Sequence, residues 1–260
     1  MTDTLFDIID VRAGVEEENE KYAQQVRAFC REHGIYLINL MASPGAGKTT
    51  LLCRLLDTIR EECGDALSIG IIEADVDADV DARTVTEHGA KAVQLHTGGS
   101  CHMDAAMTLR GLESLVSGGS AKADYPHIII LENIGNLVCP AEFDVGADLK
   151  LMILSVPEGD DKPLKYPLMF QVAECLVVNK TDTAGIFDFD LERCKRNVES
   201  VRESMGTGPV THSDAAGDAG SNAAGGADPA DTAMPIFPLS AKTGEGFAPF
   251  VQWLKERAAL

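Results

Sequence analysis

Long apolar runs are missing from this chain: nowhere in its 260 residues does one approach the roughly 18 that a membrane helix requires. No membrane partner is expected. Basic residues are also in deficit, with 22 Lys and Arg against 41 Asp and Glu and a formal charge of −19. Wrapping a phosphate backbone relies on Lys and Arg displacing counterions, so nucleic acid is excluded as the expected partner. The opening stretch MTDTLFDIIDVRAG lacks the basic start and the apolar block of a secretory leader, and a cytoplasmic protein is expected. Nor is there an even cysteine framework. The seven cysteines (Cys30, Cys53, Cys63, Cys101, Cys139, Cys175 and Cys194) are scattered and read as thiols, open to metal binding, catalysis or core filling.

What is present is apolar patterning, with hydrophobic residues at 45%, enough for one large core and too short a chain for two equal domains. Residues 16–33 carry Tyr22, Val26 and Phe29 at spacings of three and four, which predicts an amphipathic helix within an N-terminal segment 1–34, stopped by Gly34. Beyond it, residues 35–260 read as a single G domain. Runs at 35–41, 68–74, 127–132, 149–156, 175–179 and 235–239 read as strands. Their near-continuous hydrophobicity (IYLINLM, HIIILEN, LKLMILSV) is that of strands covered on both faces. The fold class expected is therefore α/β, a P-loop NTPase with a doubly wound, mainly parallel sheet, helices on both faces and ligands at the carboxyl ends of the strands. Residues 206–233 are nearly devoid of large apolar side chains and read as a flexible, low-complexity insertion before the last strand.

Ala42-Ser43-Pro44-Gly45-Ala46-Gly47-Lys48-Thr49 lies directly after a strand and directly before the helical pattern TLLCRLLDTIREE, the context of a phosphate-binding loop. The backbone N–H groups of Gly45, Ala46, Gly47, Lys48, Thr49 and Thr50 can turn inward on phosphates at a helix N-terminus. Lys48 is expected to reach the β and γ phosphates and the Thr49 hydroxyl to hold Mg²⁺. The ion also needs hard oxygen ligands, for which Asp75, after SIGIIEA, and Glu132, ending HIIILE, are candidates. The run Asp75, Asp77, Asp79, Asp81 reads alternatively as a solvated acidic loop. Gly135 is expected to offer a backbone N–H to the γ phosphate.

The strand CLVVNKTD carries Asn179-Lys180-Thr181-Asp182, and Ser240-Ala241-Lys242 follow the last strand. Guanine presents two adjacent donors, N1–H and the exocyclic amine, which Asp182 can accept bidentately; adenine offers an acceptor at N1 and would leave the carboxylate unpaired, at roughly 1 to 3 kcal/mol. Asn179 and the Ala241 N–H are expected to address O6 and N7, with the Lys180 stem over the ring. GTP rather than ATP is the expected nucleotide.

Cys101-His102 opens the pattern HMDAAMTLRGLESLV, and Cys139 lies seven residues beyond Glu132. Taken alone, each is more often an ordinary buried Cys or a surface His. Together they are candidate soft-metal ligands, with Cys139 within about 25 Å of Glu132 by chain length. Three ligands leave an ion incomplete, so water or a second subunit must supply the rest.

The segments SPGAGKTT, IIEADVDADVDA, HTGGSCHMDAAM, ENIGNLVCP, SVPEGDDKPLKYP, NKTD and SAKTGEG make the chain similar to the HypB family across most of 16–205 and again over 235–260. The resemblance implies a dimerising metallochaperone GTPase that assists nickel insertion into [NiFe] hydrogenase, with Ni²⁺ or Zn²⁺ on Cys101, His102 and Cys139 at or near a dimer interface. It implies other hydrogenase maturation proteins and the hydrogenase large-subunit precursor as partners. The N-terminal Cys-rich or His-rich stretches that members often add are not seen here, so delivery rather than nickel storage is expected. Without an obvious water-orienting Gln or arginine finger, slow intrinsic hydrolysis is expected. Lys162 and Lys165 stand as candidates for neutralising phosphate or meeting a partner, or as a solvated loop. Competing readings are an accessory GTPase for urease or a cobalamin enzyme, a small-molecule kinase (which would use ATP and need an acceptor pocket), and a plain GTP switch with structural thiols.

Overall fold

The structure, a computed structural model, describes residues 11–75, 80–117, 119, 125–204 and 233–259. Residues 206–232 of the expected low-complexity insertion, and separately Asp77 and Asp79, fall outside the described residues. Helix α1 (Val11–His33) leads into β1 (Tyr36–Ala42), followed by α2 (Lys48–Cys63), β2 (Ile69–Asp75), α3 (Val80–Glu87), β3 (Lys91–His96), α4 (Ala105–Val116) and β4 (Ile128–Glu132). The second half runs α5 (Cys139–Glu142), β5 (Leu149–Ser155), α6 (Lys162–Lys165), α7 (Pro167–Val172), β6 (Cys175–Asn179), α8 (Leu191–Glu203), β7 (Ile236–Pro238) and α9 (Phe247–Arg257).

Among the described residues, seven strands form one sheet in the order β3-β2-β4-β1-β5-β6-β7, each neighbouring pair parallel. Parallel neighbours need crossovers, and the helices that make them cover both faces. Alternate residues of β1 show the consequence. Ile38, Leu40 and Ala42 pack with Leu51, Leu52 and Leu55 of α2 and Phe250 and Val251 of α9. Leu37 faces α1 and α4 through Val26, Cys30, Leu112 and Leu115, and Met41 faces α7 and α8 through Phe170 and Val198. Each such buried side chain contributes roughly 1.5–3 kcal/mol relative to exposure, so the middle strands are fixed from both sides.

Two elements differ from the sequence expectation. A seventh strand, β3, is present where none was read, because it is an edge strand whose Lys91, Gln94 and His96 interrupt the apolar run and leave it half-exposed. Helix α1 starts at Val11 rather than residue 16 and buries Ala23, Val26 and Cys30 against the sheet.

The segment after β5 is anchored to α8 by Asp160, whose carboxylate accepts from Arg193 Nε (2.7 Å) and Nη2 (2.6 Å) and from the Asp190 N–H (2.7 Å). The Arg193 hydrogen bonds hold the Asp160 carboxyl below its ordinary value of 3.8. Arg193→Ala is expected to lower the thermal midpoint modestly at neutral pH, because the arginine side chain is 47% exposed and the pair is screened. The sign follows from the lowered value: the contribution is complete above pH 3.8 and is lost as pH falls through the folded-state pKa. Thermal midpoints of wild type and variant should differ at pH 7 and converge in acid; a constant gap would refute the pairing. The two lysines nearby, both in α6 rather than in a loop, are paired locally, Lys162 with Glu158 (3.5 Å) and Lys165 with Asp161 (2.6 Å).

Candidate functional site

The loop from Ser43 to Gly47 joins the central strand β1 to α2, so its backbone N–H groups gather at the helix N-terminus, the positive end of its dipole. Gly47 caps that helix with φ +97, a left-handed conformation that L side chains resist. A Cβ there would stand 2.6 Å from Asn179 Nδ2, so glycine is required by packing as well as by backbone angle. Lys48 Nζ lies 4.0 Å from Glu132 Oε1 at the end of β4, and the Cβ position of Gly135 would be 3.3 Å from Lys48 Nζ and 3.2 Å from the Pro44 nitrogen. The turn after β4 therefore rests directly on the phosphate loop.

Thr49 sits in the first turn of α2, and Asp75 closes β2, the strand beside β4. The strands that carry Asp75 and Glu132 are neighbours in the sheet, and β4 lies beside β1, which leads into the loop before Thr49. Asp81 lies within α3.

The second signature of the sequence meets the first here. Asn179, 2% exposed at the end of β6, donates to Ala46 O (3.0 Å) and accepts from the N–H groups of Lys180 (2.8 Å) and Ala241 (3.0 Å). The Ala241 N–H is thus engaged by Asn179 itself, so in this structure Asn179 ties the base loop to the phosphate loop rather than pointing at a base. Lys180 adopts φ +62, an uncommon backbone for a non-glycine residue, and donates from Nζ to Gly45 O (2.6 Å), laying its stem across the phosphate loop. Asp182 is exposed and one of its oxygens is fixed by the Ser240 hydroxyl at 2.6 Å. Arg54 of α2, which sequence reasoning passed over, donates to Ala241 O (3.0 Å) and Lys242 O (2.8 Å) and clamps that loop to the helix after the phosphate site.

Cys101, His102 and Cys139 come together, their ligand atoms all within 4.8 Å of one another. The two sulfurs are 2.8 Å apart, and Cys101 Sγ is 3.7 Å from His102 Nδ1. Cys101 and His102 do not open the helix as expected. They occupy the loop before it, because Asp104 is the N-cap, its carboxylate accepting from the Met107 N–H at 2.7 Å. Cys139 does start a short helix. Burial lowers the His102 pKa below 6.5 and so favours the neutral, ligating imidazole, while the Cys139 hydrogen bond, followed by desolvation, raises that of Cys101 above 9.0. The imidazole stacks on Phe143 at 3.9 Å. By contrast Cys30, Cys175 and Cys194 are buried in apolar surroundings, their thiols pushed up, to about 12 for Cys30 and Cys194. They fill the core.

Three asparagines to which the sequence assigned no role hold the metal-type loop; two of them, Asn133 and Asn136, lie in ENIGNLVCP. Asn133 Oδ1 accepts from the Met103 N–H, Asn136 Nδ2 donates to Cys101 O, and Asn19 of α1 accepts from the Ala105 N–H and donates to Asp144 O. Among the described residues no helix is long and apolar enough to cross a membrane.

Residues 36–207 match the family model for the CobW/HypB/UreG nucleotide-binding domain. The chain is 36% identical over 253 residues to the hydrogenase maturation factor HypB of Rhizobium leguminosarum bv. viciae, covering 97% of this chain and 71% of that protein. It is 38% identical over 198 residues to the hydrogenase/urease maturation factor HypB of Helicobacter hepaticus, covering 76% of this chain and 78% of that one. Among solved structures, HypB from Helicobacter pylori in complex with nickel superposes with a TM-score of 0.76 at 29% identity, covering 93% of this chain and 95% of the other.

Proposed function

The chain belongs to the CobW/HypB/UreG family of nucleotide-binding proteins, and on that premise we propose that it is a GTP-hydrolysing nickel metallochaperone of hydrogenase maturation. The observation that carries the proposal is a juxtaposition. Cys101, His102 and Cys139 converge within 4.8 Å, and Cys139 ends a segment whose Gly135 abuts Lys48 of the phosphate loop. Thiolate and imidazole donors suit Ni²⁺ or Zn²⁺, and the nickel complex of the Helicobacter pylori relative supports nickel as the cargo.

In this reading Asp182 and Ser240 select guanine, the amides from Gly45 to Thr50 and the Lys48 ammonium hold the phosphates, and Lys242 and Lys180 frame the base. Thr49, Asp75 and Glu132 would hold Mg²⁺, which when bound neutralises charge on the phosphates. With no obvious water-orienting Gln or arginine finger in the sequence, the pocket is expected to hydrolyse GTP slowly and to work as a switch, not as a fast enzyme. Three ligands leave the cargo ion a coordination position short, which a second copy of the chain fills in a GTP-dependent homodimer. Other hydrogenase maturation proteins and the hydrogenase large-subunit precursor then receive the ion in the cytoplasm. A second reading, nickel delivery to a urease, is favoured by the double name of the Helicobacter hepaticus relative.

Nickel titration of the purified protein and of Cys101→Ala and Cys139→Ala tests the proposal. Stoichiometric binding should fall at least about tenfold in affinity in each variant, one ligand interaction being worth more than about 1.4 kcal/mol. GTP hydrolysis should persist. Undiminished binding in both variants would exclude the site, and loss of nucleotide binding with it would mark the thiols as structural.

A further inference from the structure

The segment from Glu132 to Cys139 has one end on the phosphate loop and the other at the thiol pair, and a single carboxamide spans the gap. Asn136 Oδ1 accepts from the N–H groups of Val138 (2.8 Å) and Cys139 (3.0 Å), while Nδ2 donates to Cys101 O at 2.5 Å. One planar group thus fixes the backbone of both thiol residues, which are 38 positions apart in the chain. Its immediate neighbour is Gly135, the residue packed on Pro44 and Lys48. Three residues earlier Asn133 repeats the connection, accepting from Met103 N–H (3.1 Å) and Ile134 N–H (2.9 Å) and donating to Asn39 of β1 (3.1 Å).

A turn cap for α5 would need only the two acceptor bonds of Asn136. The donor arm to Cys101 serves no local turn: it reaches a different loop. If the turn at Gly135 shifts when the phosphate pocket fills, that arm pulls the Cys101 backbone along while the acceptor arm moves Cys139, and the separation of the sulfurs changes. Asn19 bridges the same two loops from α1, through Ala105 and Asp144, but touches nothing on the phosphate side.

We propose that Asn136 is the positioning residue that transmits nucleotide state to the Cys101–Cys139 pair. The inference rests on reading that pair as a nickel site sensitive to the nucleotide. The readout is the ratio of Ni²⁺ dissociation constants in GDP and in a non-hydrolysable GTP analogue, measured for wild type, Asn136→Ser and Asn19→Ala. Serine keeps an acceptor for the local turn and is too short to reach Cys101. Wild type should show a ratio of at least about fivefold, the low end for a coupling between sites. Asn136→Ser should bind Ni²⁺ and GTP yet bring the ratio to about one, whereas Asn19→Ala should weaken Ni²⁺ in both states and keep the ratio. Should the serine variant fail to fold by its thermal melt, Asn136→Asp, which also keeps the acceptor and removes the donor, is read the same way. A wild-type ratio retained in these variants overturns the role of Asn136 alone; a wild-type ratio of one overturns the nucleotide-sensitive site itself.

Discussion

Gly47→Ala is expected to weaken GTP binding by at least about a hundredfold, the strain and the displaced hydrogen bonds together exceeding the 2.8 kcal/mol or so that this corresponds to. The backbone at φ +97 costs an L side chain roughly 1–2 kcal/mol. The larger part comes from Asn179, whose Nδ2 would lie 2.6 Å from the new methyl. That amide is buried and committed to Ala46, Lys180 and Ala241, so it cannot retreat without giving up hydrogen bonds of about 1 kcal/mol each. The damage therefore reaches the phosphate loop and the base loop at once. Gly45→Ala is the control: φ is +75 there, but no atom lies within 4 Å of the added carbon, so strain alone should appear in its thermal melt. Equal losses of stability in the two variants would show that the contact with Asn179 carries no weight.

Asp182→Asn should exchange the preferred base. The Ser240 hydroxyl holds one carboxylate oxygen and leaves the side chain facing outward. Guanine meets a carboxylate with two donors. An asparagine offers one acceptor and one donor, so the exocyclic amine is left opposed by another N–H, a loss of roughly 1–3 kcal/mol in addition to the charge assistance. Xanthine carries a carbonyl in place of that amine and matches the new pattern. Competition between GTP and xanthosine triphosphate should turn from a preference for GTP of about a hundredfold or more to a preference for the xanthine nucleotide. An unchanged order would remove Asp182 as the group that reads the base.

Much of the architecture was legible because the sheet is covered on both faces. Runs such as HIIILE and LKLMILS are almost wholly apolar, and β1, β4 and β5 emerge close to where such runs lie. The edge strand β3 was not legible for the converse reason, since KAVQLH is exposed at both ends, only partly buried between them, and interrupted by Lys91, Gln94 and His96. The nucleotide motifs were readable because each is short and contiguous in the chain, although the hydrogen bonds that join them span 58 to 135 positions. The metal-type loop was half legible. Cys101, His102 and Cys139 were identifiable by type, and Asp104 before an apolar pattern was a helix-start signal that places the pair before α4 rather than on it. The links made by Asn19, Asn133 and Asn136 were not, because their partners lie between 30 and 125 positions away for every bond that reaches the other loops. No spacing rule connects such positions; only the folded sheet does.

Helix α1 lends Asn19 to the thiol loop and sets Arg27 against Asp144, next to the Phe143 ring that backs His102. A shortened protein beginning at residue 35 would keep every nucleotide motif and forfeit this brace. Its grip on nickel would be that of a loosened pincer, and affinities measured on such a fragment would understate what the intact chain achieves.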